Sequence, residues 1–217
     1  LAASLFSDMK VSTIETMPAG RKQPLTQLIL ENSFRSVLDE VNALLEEGHQ
    51  LYVICAAVDE NEAFKARDVN KMYVNLSKLF YPRKVGMLHG QMSSDEKQSV
   101  MDAFAKNEIQ ILVSTTVVEV GMNVVNATGM IIYDADRFGL SQLHQLRGRI
   151  QRGNAVGKCW LLTDNKSEDV KERLNVLVKT TNGFEISYED LRLRGPGDIL
   201  GTRQSGVPDL ILGNLYE

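Results

Sequence analysis

The sequence predicts an α/β protein with a mostly parallel sheet and helices on both of its faces. Between residues 25 and 164, short apolar runs of strand length alternate with amphipathic stretches that are long enough for helices. This alternation is typical of βαβ units. Hydrophobic residues make up 43% and charged residues 24% of the 217 residues, which are ordinary values for a soluble globular protein.

The pattern of strands and helices begins after residue 24. Leu25 to Leu30 suits a strand, and Ser33 is a candidate N-cap for a helix that stops at Gly48. Periodicity and cap residues predict the elements that follow: a strand at 51–58, a helix at 62–80, a strand at 84–88, a helix capped by Ser93 or Ser94, strands at 109–113 and 129–133, a helix capped by Ser141 that runs to about Arg152, and a strand at 158–162.

The composition changes near Asp164. A helical pattern from Ser167 to Thr180 and a turn at Asn182–Gly183 lead into a stretch rich in Gly and Arg. Leu1–Phe6 resembles the end of a helix that began earlier, so the chain is interpreted as a fragment. We expect three parts: the tail of a preceding lobe or linker at 1–24, the α/β domain at 25–164, and a helical appendage at 165–217 that is truncated at its C-terminus.

Charge and cysteine usage narrow the function classes. The formal net charge is -4, so any contact with nucleic acid would have to use local basic clusters. The sequence shows neither a transmembrane run nor a signal peptide. Cys55 and Cys159 lie in apolar runs without a Cys-x-x-Cys pattern, which predicts core thiols in a reducing compartment, by default the cytoplasm.

The chain lacks a phosphate-binding loop. ATPases of this kind use Gly-x-x-x-x-Gly-Lys-Ser/Thr, whose amides and Lys hold the β- and γ-phosphates. Gly157-Lys158 is followed by Cys159 and lies in a predicted strand. Asp59-Glu60 mimics an acidic magnesium-binding pair, but we assign it no catalytic role without that loop.

The segment from Ser141 to Gly153 carries the most informative pattern. On a helix its apolar residues share one face that can pack on the sheet, namely Leu143, Leu146 and Ile150. A second face, with no Asp or Glu in the helix, is formed at the same spacing by Gln142, Gln145, Arg149 and Arg152.

This arginine face has two interpretations. An ordinary solvated helix surface usually mixes Glu and Lys, and this one does not. Guanidinium groups, by contrast, fit the oxygens of a triphosphate and the charge that develops in phosphoryl transfer. Gly148 within the helix should cost about 1 kcal/mol relative to Ala, which suggests that something packs closely there.

These residues resemble a known family. Gln145-x-x-Gly148-Arg149-x-x-Arg152 is similar to motif VI of superfamily 2 helicases, and Ile111–Ala127 is similar to their motif V. Within that superfamily the RecG family of branched-DNA helicases is the best likeness, in three blocks: Val85–Met92, Asp136–Arg149 and Asp190–Gly206. The related transcription-repair coupling factors usually read Arg-Gly-Ala-Gly where this chain has Arg194-Gly-Pro-Gly197.

The resemblance implies the second RecA-like lobe of a DNA motor, followed by a helical hairpin and a translocation motif. It implies catalytic roles, including an arginine finger, for Arg149, Arg152 and Gln145. Nucleotide-site roles are implied for Glu119, Gly121, Asn123 and Gly148. DNA-binding or coupling roles are implied for His89, Gly90, Thr115, Thr116, Arg192, Arg194, Arg203 and Gln204. The arginines among them would supply phosphate-binding charge or hold the hairpin. The glycines of this stretch permit sharp turns, namely Gly195, Gly197, Gly201 and Gly206.

The implied ligands and partners follow from the same likeness. ATP would be shared with a missing N-terminal motor lobe, which would also hold Mg²⁺. Branched or double-stranded DNA, that lobe and a wedge domain of the same polypeptide are the expected partners, and no membrane contact is expected. The chain departs from the family pattern at Gln151, Asn123 and Ala57, and Asn123 loses a negative charge.

Two alternatives stay open. The chain could be a binding module that holds nucleic acid or an anionic partner without motor activity, or the matching lobe of a transcription-repair coupling factor. A phosphate loop and an Asp-Glu-x-x box upstream of Leu1 would support the motor. Without them, the chain alone is not expected to hydrolyse ATP.

Overall fold

Six parallel strands form one sheet in a computed structural model that describes residues 23–55, 62–115, 124–150 and 155–201, without the side chains of 62–68 and 195–201. In chain order the strands are β1 (Leu25–Ile29), β2 (Gln50–Cys55), β3 (Val85–Leu88), β4 (Ile111–Ser114), β5 (Ala127–Tyr133) and β6 (Lys158–Leu162). Their order in the sheet is β1-β6-β5-β2-β4-β3, and every neighbouring pair is parallel.

The described helices lie between and after these strands. They are α1 (Leu38–Glu46), α2 (Glu62–Phe80), α3 (Ser94–Ala105), α4 (Leu140–Arg147), α5 (Glu168–Lys179) and α6 (Gly183–Gly201). Short 3-10 helices lie at Phe34–Val37, Ala135–Arg137 and Gly148–Ile150. In the described ranges, no helix is both long and apolar enough to span a membrane.

The sheet is covered on both faces, as the sequence predicts. Along β2, Leu51 and Val53 face a core formed with α1 and α2, whereas Tyr52 and Ile54 face a second core formed with α3 to α6. Both cores contain fully buried apolar side chains from every central strand. This burial explains why the strands appear in the sequence as nearly continuous apolar runs.

Polar caps begin the helices largely where the sequence predicts them. The Ser33 hydroxyl accepts a hydrogen bond from the Arg35 amide. Ser93 rather than Ser94 caps α3, in a capping box with the Glu96 side chain. Gly48 follows α1 with a φ of 89°, a left-handed conformation that suits glycine.

Both cysteines are buried and free of disulfides, which confirms that they are core thiols. Cys159 lies in β6 and is 1% exposed. Burial disfavours the thiolate and raises the pKa of Cys159 to about 12. Its thiol is therefore a packing group.

Two expectations about α4 are wrong. Ser141 does not cap α4, because Gly139 occupies the N-cap position in an extended conformation. The α-helix does not run to Arg152: it ends at Arg147 and tightens into a 3-10 helix, and the Gly148 amide donates to His144 and Leu146 carbonyls. Glycine has a low helix propensity, which accounts for the change at this position.

Two of the appendage glycines that permit sharp turns lie within a helix instead. The backbone is helical from Gly183 to Gly201, through Gly195 and Gly197. Glycine permits a turn but does not impose one, so helical hydrogen bonding can continue through it. Gly206 lies outside the described residues.

Candidate functional site

The arginine segment, defined here as α4 with the following 3-10 helix (140–150), has the buried apolar face that the sequence predicts, whereas Arg152 of the predicted second face lies outside the described residues. Leu143, Leu146 and Ile150 are at most 2% exposed and pack in the core beside α5 and α6. Gln145 is exposed and Arg149 is half-buried. The segment contains no Asp or Glu, so its own residues do not neutralise its positive charge.

The 3-10 helix is held close to the start of β6. A Cβ atom built on Gly157 would lie only 2.6 Å from the Ile150 carbonyl oxygen. Gly157 directly precedes β6, so Arg149 stands near the amino end of that strand. The absence of a side chain at Gly157 therefore permits the observed position of the turn.

Arg147 is the residue of this segment that the sequence reasoning missed. Its guanidinium is 1% exposed and donates to Thr26 Oγ1 at 3.1 Å and to the Leu177 carbonyl at 2.5 Å. It also donates to His144 Nδ1 and to the Thr180 carbonyl, both at 3.0 Å. Burial lowers the pKa of His144, and the Arg147 charge adds to this effect. His144 is therefore a neutral acceptor here.

The helical periodicity carried a signal for Arg147. The position lies four residues after Leu143 and three before Ile150, on the apolar face of α4. A charged residue on a buried face needs hydrogen-bond partners. Those partners come from elements distant in sequence, so the sequence could not identify them.

The hairpin, defined here as α5 and α6, is held together in part by Arg192. This side chain donates to Glu189 in its own helix at 2.7 Å and to Glu172 of α5 at 3.3 Å. Hydrogen bonds to these two carboxylates raise the pKa of Arg192. Arg194 contacts Asp190 at 3.2 Å. The described contacts of Arg192 therefore join the two helices of the hairpin.

Arg173 joins the hairpin to the α/β domain, and the sequence reasoning missed it as well. This α5 residue donates to the Phe138 carbonyl at 2.7 Å and to the Asp136 carbonyl at 2.6 Å. Burial lowers its pKa, whereas the charges of Asp190 and Asp136 raise it. The segment that precedes α4 is thus fixed to α5.

His89, Gly90 and Thr115 come together at the carboxyl ends of β3 and β4. Leu88 and Ser114 are register partners at the ends of these adjacent strands, so the residues that follow them are neighbours. His89 Nδ1 accepts from the Gln91 amide at 3.2 Å. The group lies at one edge of the sheet, away from the arginine segment at the amino end of β6.

The carboxyl ends of β1, β5 and β6 form a separate, acidic group. Asn32 exchanges two hydrogen bonds with Asp134, and its amide donates to Asp164 at 2.8 Å. Asp134 has a φ of 50°, which Asp tolerates better than most residues. Burial raises the pKa of Asp134 most, and the charges of Asp136 and Asp164 add to this effect.

Several expected site residues fall outside the described ranges. They are Arg152, Glu119, Gly121, Asn123, Thr116, Arg203 and Gln204, together with the departures Gln151 and Ala57. Gly148 is described, at the junction of α4 and its 3-10 helix. No cluster of His, Cys, Asp or Glu side chains in the described part of the chain is arranged to hold a metal ion.

Comparisons with known proteins match both parts of the chain. The family model "Helicase conserved C-terminal domain" matches residues 33–154, and "ATP-dependent DNA helicase RecG, domain 3, C-terminal" matches residues 180–215. ATP-dependent DNA helicase RecG of Staphylococcus aureus is 47% identical over 218 residues, which cover all of this chain and 32% of that protein. RecG of Bacillus subtilis is 48% identical over 216 residues, covering 99% and 32%.

A solved structure supports the same relationship. A structure of RecG bound to a three-way DNA junction superposes with a TM-score of 0.70 at 36% identity, and the match covers 93% of this chain and 27% of that one. The RecA-like fold class is thereby confirmed. The chain spans about a third of the length of the curated relatives it matches.

Proposed function

This chain belongs to the helicase conserved C-terminal domain family, and all of its residues align with part of RecG. We therefore propose that it is the C-terminal motor lobe of an ATP-dependent DNA helicase. The whole protein would remodel branched DNA and stalled replication forks. The match of the hairpin region to the RecG-specific model favours this reading over a transcription-repair coupling factor.

The arginine segment supports a role in ATP turnover. Gln145 offers an exposed amide and Arg149 a half-buried guanidinium on a segment without acidic residues. A guanidinium near transferring phosphate stabilises the charge that develops there. The donors fit triphosphate oxygens, so Arg149, with Arg152 by sequence, would act on ATP bound mainly by the preceding lobe. That lobe would also supply the phosphate loop and hold Mg²⁺.

The electrostatics of the sheet edge support a location for the DNA contact. The carboxyl ends of β1, β5 and β6 carry Asp134, Asp136 and Asp164, which would repel phosphates. The ends of β3 and β4 instead offer His89, the exposed Gly90 and Thr115. Small and polar residues of this kind contact a nucleic-acid backbone through amide and hydroxyl groups. We assign the DNA backbone to this side.

The observation that carries the proposal is the acid-free arginine segment packed directly against the hairpin, in a chain that aligns with RecG in both parts. The test compares the full-length protein with the isolated chain in an ATPase assay with forked DNA. We expect DNA-stimulated turnover and fork unwinding from the full-length protein and none from the isolated chain.

Each of two other outcomes would contradict a different part of the proposal. DNA-stimulated ATPase activity from the pure chain would show that the division of labour between lobes is wrong. A full-length protein that binds forked DNA without any ATP turnover would favour the binding-module alternative.

A further inference from the structure

Arg147 is a buried cation whose observed hydrogen-bond acceptors are all neutral. Those acceptors are one hydroxyl, two backbone carbonyls and an imidazole nitrogen, and the Nε atom has no partner among the described residues. Desolvation of a guanidinium is costly, and an apolar side chain of similar size could fill such a space without that cost. A packing role alone therefore does not explain an arginine here.

Two of the acceptors lie at the C-terminal end of α5. The Leu177 and Thr180 carbonyls belong to the last turn of that helix and the residue that ends it. Carbonyls at a helix C-terminus lack helical partners and carry partial negative charge, so a cation is favourable there. Arg147 thus completes the C-terminus of α5 from outside the hairpin.

The C-terminus of α5 leads directly into the turn between the two hairpin helices. Two residues after Thr180, the Asn182 side chain accepts from the Phe184 and Glu185 amides at the start of α6. A Cβ atom on Gly183 would lie 3.5 Å from His144 Nε2, so the start of α6 rests on α4. The turn is therefore held by α4 through Arg147 and His144.

The backbone of Arg147 is continuous with the 3-10 helix Gly148–Ile150, defined here as the arginine turn. Arg147 is the last residue of α4, and Gly148 to Ile150 follow as the 3-10 helix that contains Arg149. A displacement of that turn moves the Arg147 backbone with it. Its directional hydrogen bonds to two hairpin carbonyls then oppose slippage between α4 and α5.

We propose that Arg147 is a positioning residue that couples the arginine turn to the hairpin, so that movement during ATP turnover reaches the hairpin. The inference rests on the proposed motor function and adds the residue through which the two parts of the chain are connected. Thr26, the fourth acceptor, belongs to β1 and is not part of the hairpin. It therefore supplies a matched control.

The activity test uses the full-length protein with Arg147→Met, Arg147→Lys and Thr26→Val. Arg147→Met should keep ATP turnover within about threefold of wild type but unwind roughly tenfold fewer base pairs per ATP, within the usual range of coupling between sites. Arg147→Lys keeps the charge and some donors, so it should give an intermediate ratio. Thr26→Val leaves both α5 carbonyls bound and should preserve the wild-type ratio.

Hydrogen exchange supplies a readout that does not depend on activity. In Arg147→Met, the amides of Thr180, Phe184 and Ile186 should exchange at least about tenfold faster, because local opening there loses an anchor. Amides of Ile131 and Trp160 in the central strands should keep their rates. If Arg147→Met does not fold, the same comparison is made with Arg147→Lys.

Two results for Arg147→Met would overturn the inference. One is an equal loss of turnover and unwinding in Arg147→Met, which indicates a merely structural role. Another is unchanged exchange at the α5–α6 turn. A wild-type protein without DNA-stimulated ATPase activity would refute the proposed motor function, whereas the exchange rates would still decide whether Arg147 anchors the hairpin.

Discussion

Gly157→Ala is expected to displace the arginine turn by a small and calculable amount. The new Cβ would lie 2.6 Å from the Ile150 carbonyl oxygen, whereas contacts below 3.0 Å essentially never occur. The turn or the strand must therefore move by about 0.4 Å. The obstructing atom belongs to the backbone, so a side-chain rotation cannot relieve the contact.

The size of the displacement determines how much stability and ATP turnover the variant should lose. Overpacking of this kind costs about 1–3 kcal/mol of stability. A misplacement of about 1 Å near reacting groups can cost about 10²-fold in rate, so the smaller shift here should reduce ATP turnover on the order of tenfold. The measurement is the DNA-stimulated ATPase rate of the full-length variant, with fork binding measured alongside and expected to be unchanged.

Gly139→Ser is the matched control for this variant. Gly139 is the N-cap of α4, at the other end of the same segment, and a Cβ there meets nothing within 4 Å. Serine is favourable at an N-cap, so turnover and stability should be retained. Wild-type turnover and thermal stability in Gly157→Ala would refute the reasoning that contact with the start of β6 sets the position of the turn.

Two further predictions concern groups whose pKa is raised by burial. The folded state holds the Asp134 proton more tightly than the unfolded chain, so this group's contribution to stability falls as pH rises above its ordinary value of 3.8. Asp134→Asn should therefore gain stability relative to wild type between acidic and neutral pH, and thermal unfolding that shows a parallel pH dependence would contradict this. The Cys159 thiol, with a pKa of about 12, should resist iodoacetamide in the folded protein at mildly alkaline pH and react after unfolding. Mass spectrometry that finds Cys159 modified before unfolding would contradict its burial.

The sequence was sufficient to predict the elements of the α/β domain. Strands buried on both faces leave long apolar runs, and hydroxyl caps such as Ser33 and Ser93 mark helix starts through local hydrogen bonds. The order of the strands depends on long-range packing that no local pattern records. Gly139 as a cap and the continuous helix through Gly195 were missed because glycine is compatible with several backbone conformations.

The sequence predicts only those features of the site that arise within a single segment of the chain. The exposure of Gln145 follows from helical spacing within α4, whereas half-buried Arg149 lies in the 3-10 helix that the sequence did not predict. The buried contacts of Arg147 and Arg173 join residues that are distant in sequence, so only the fold brings them together. The roles implied for Arg149, His89 and Thr115 stay predictions.

The most direct test of the central claim is the ATP turnover of Arg149→Ala in the full-length protein, measured with saturating forked DNA. An arginine that stabilises the transferring phosphate contributes about 10³–10⁵ to turnover, so we expect a loss of about that size. Fork binding should remain at the wild-type level. Turnover close to wild type, or equal losses of turnover and fork binding, would contradict the claim that this chain acts on ATP through its arginine segment.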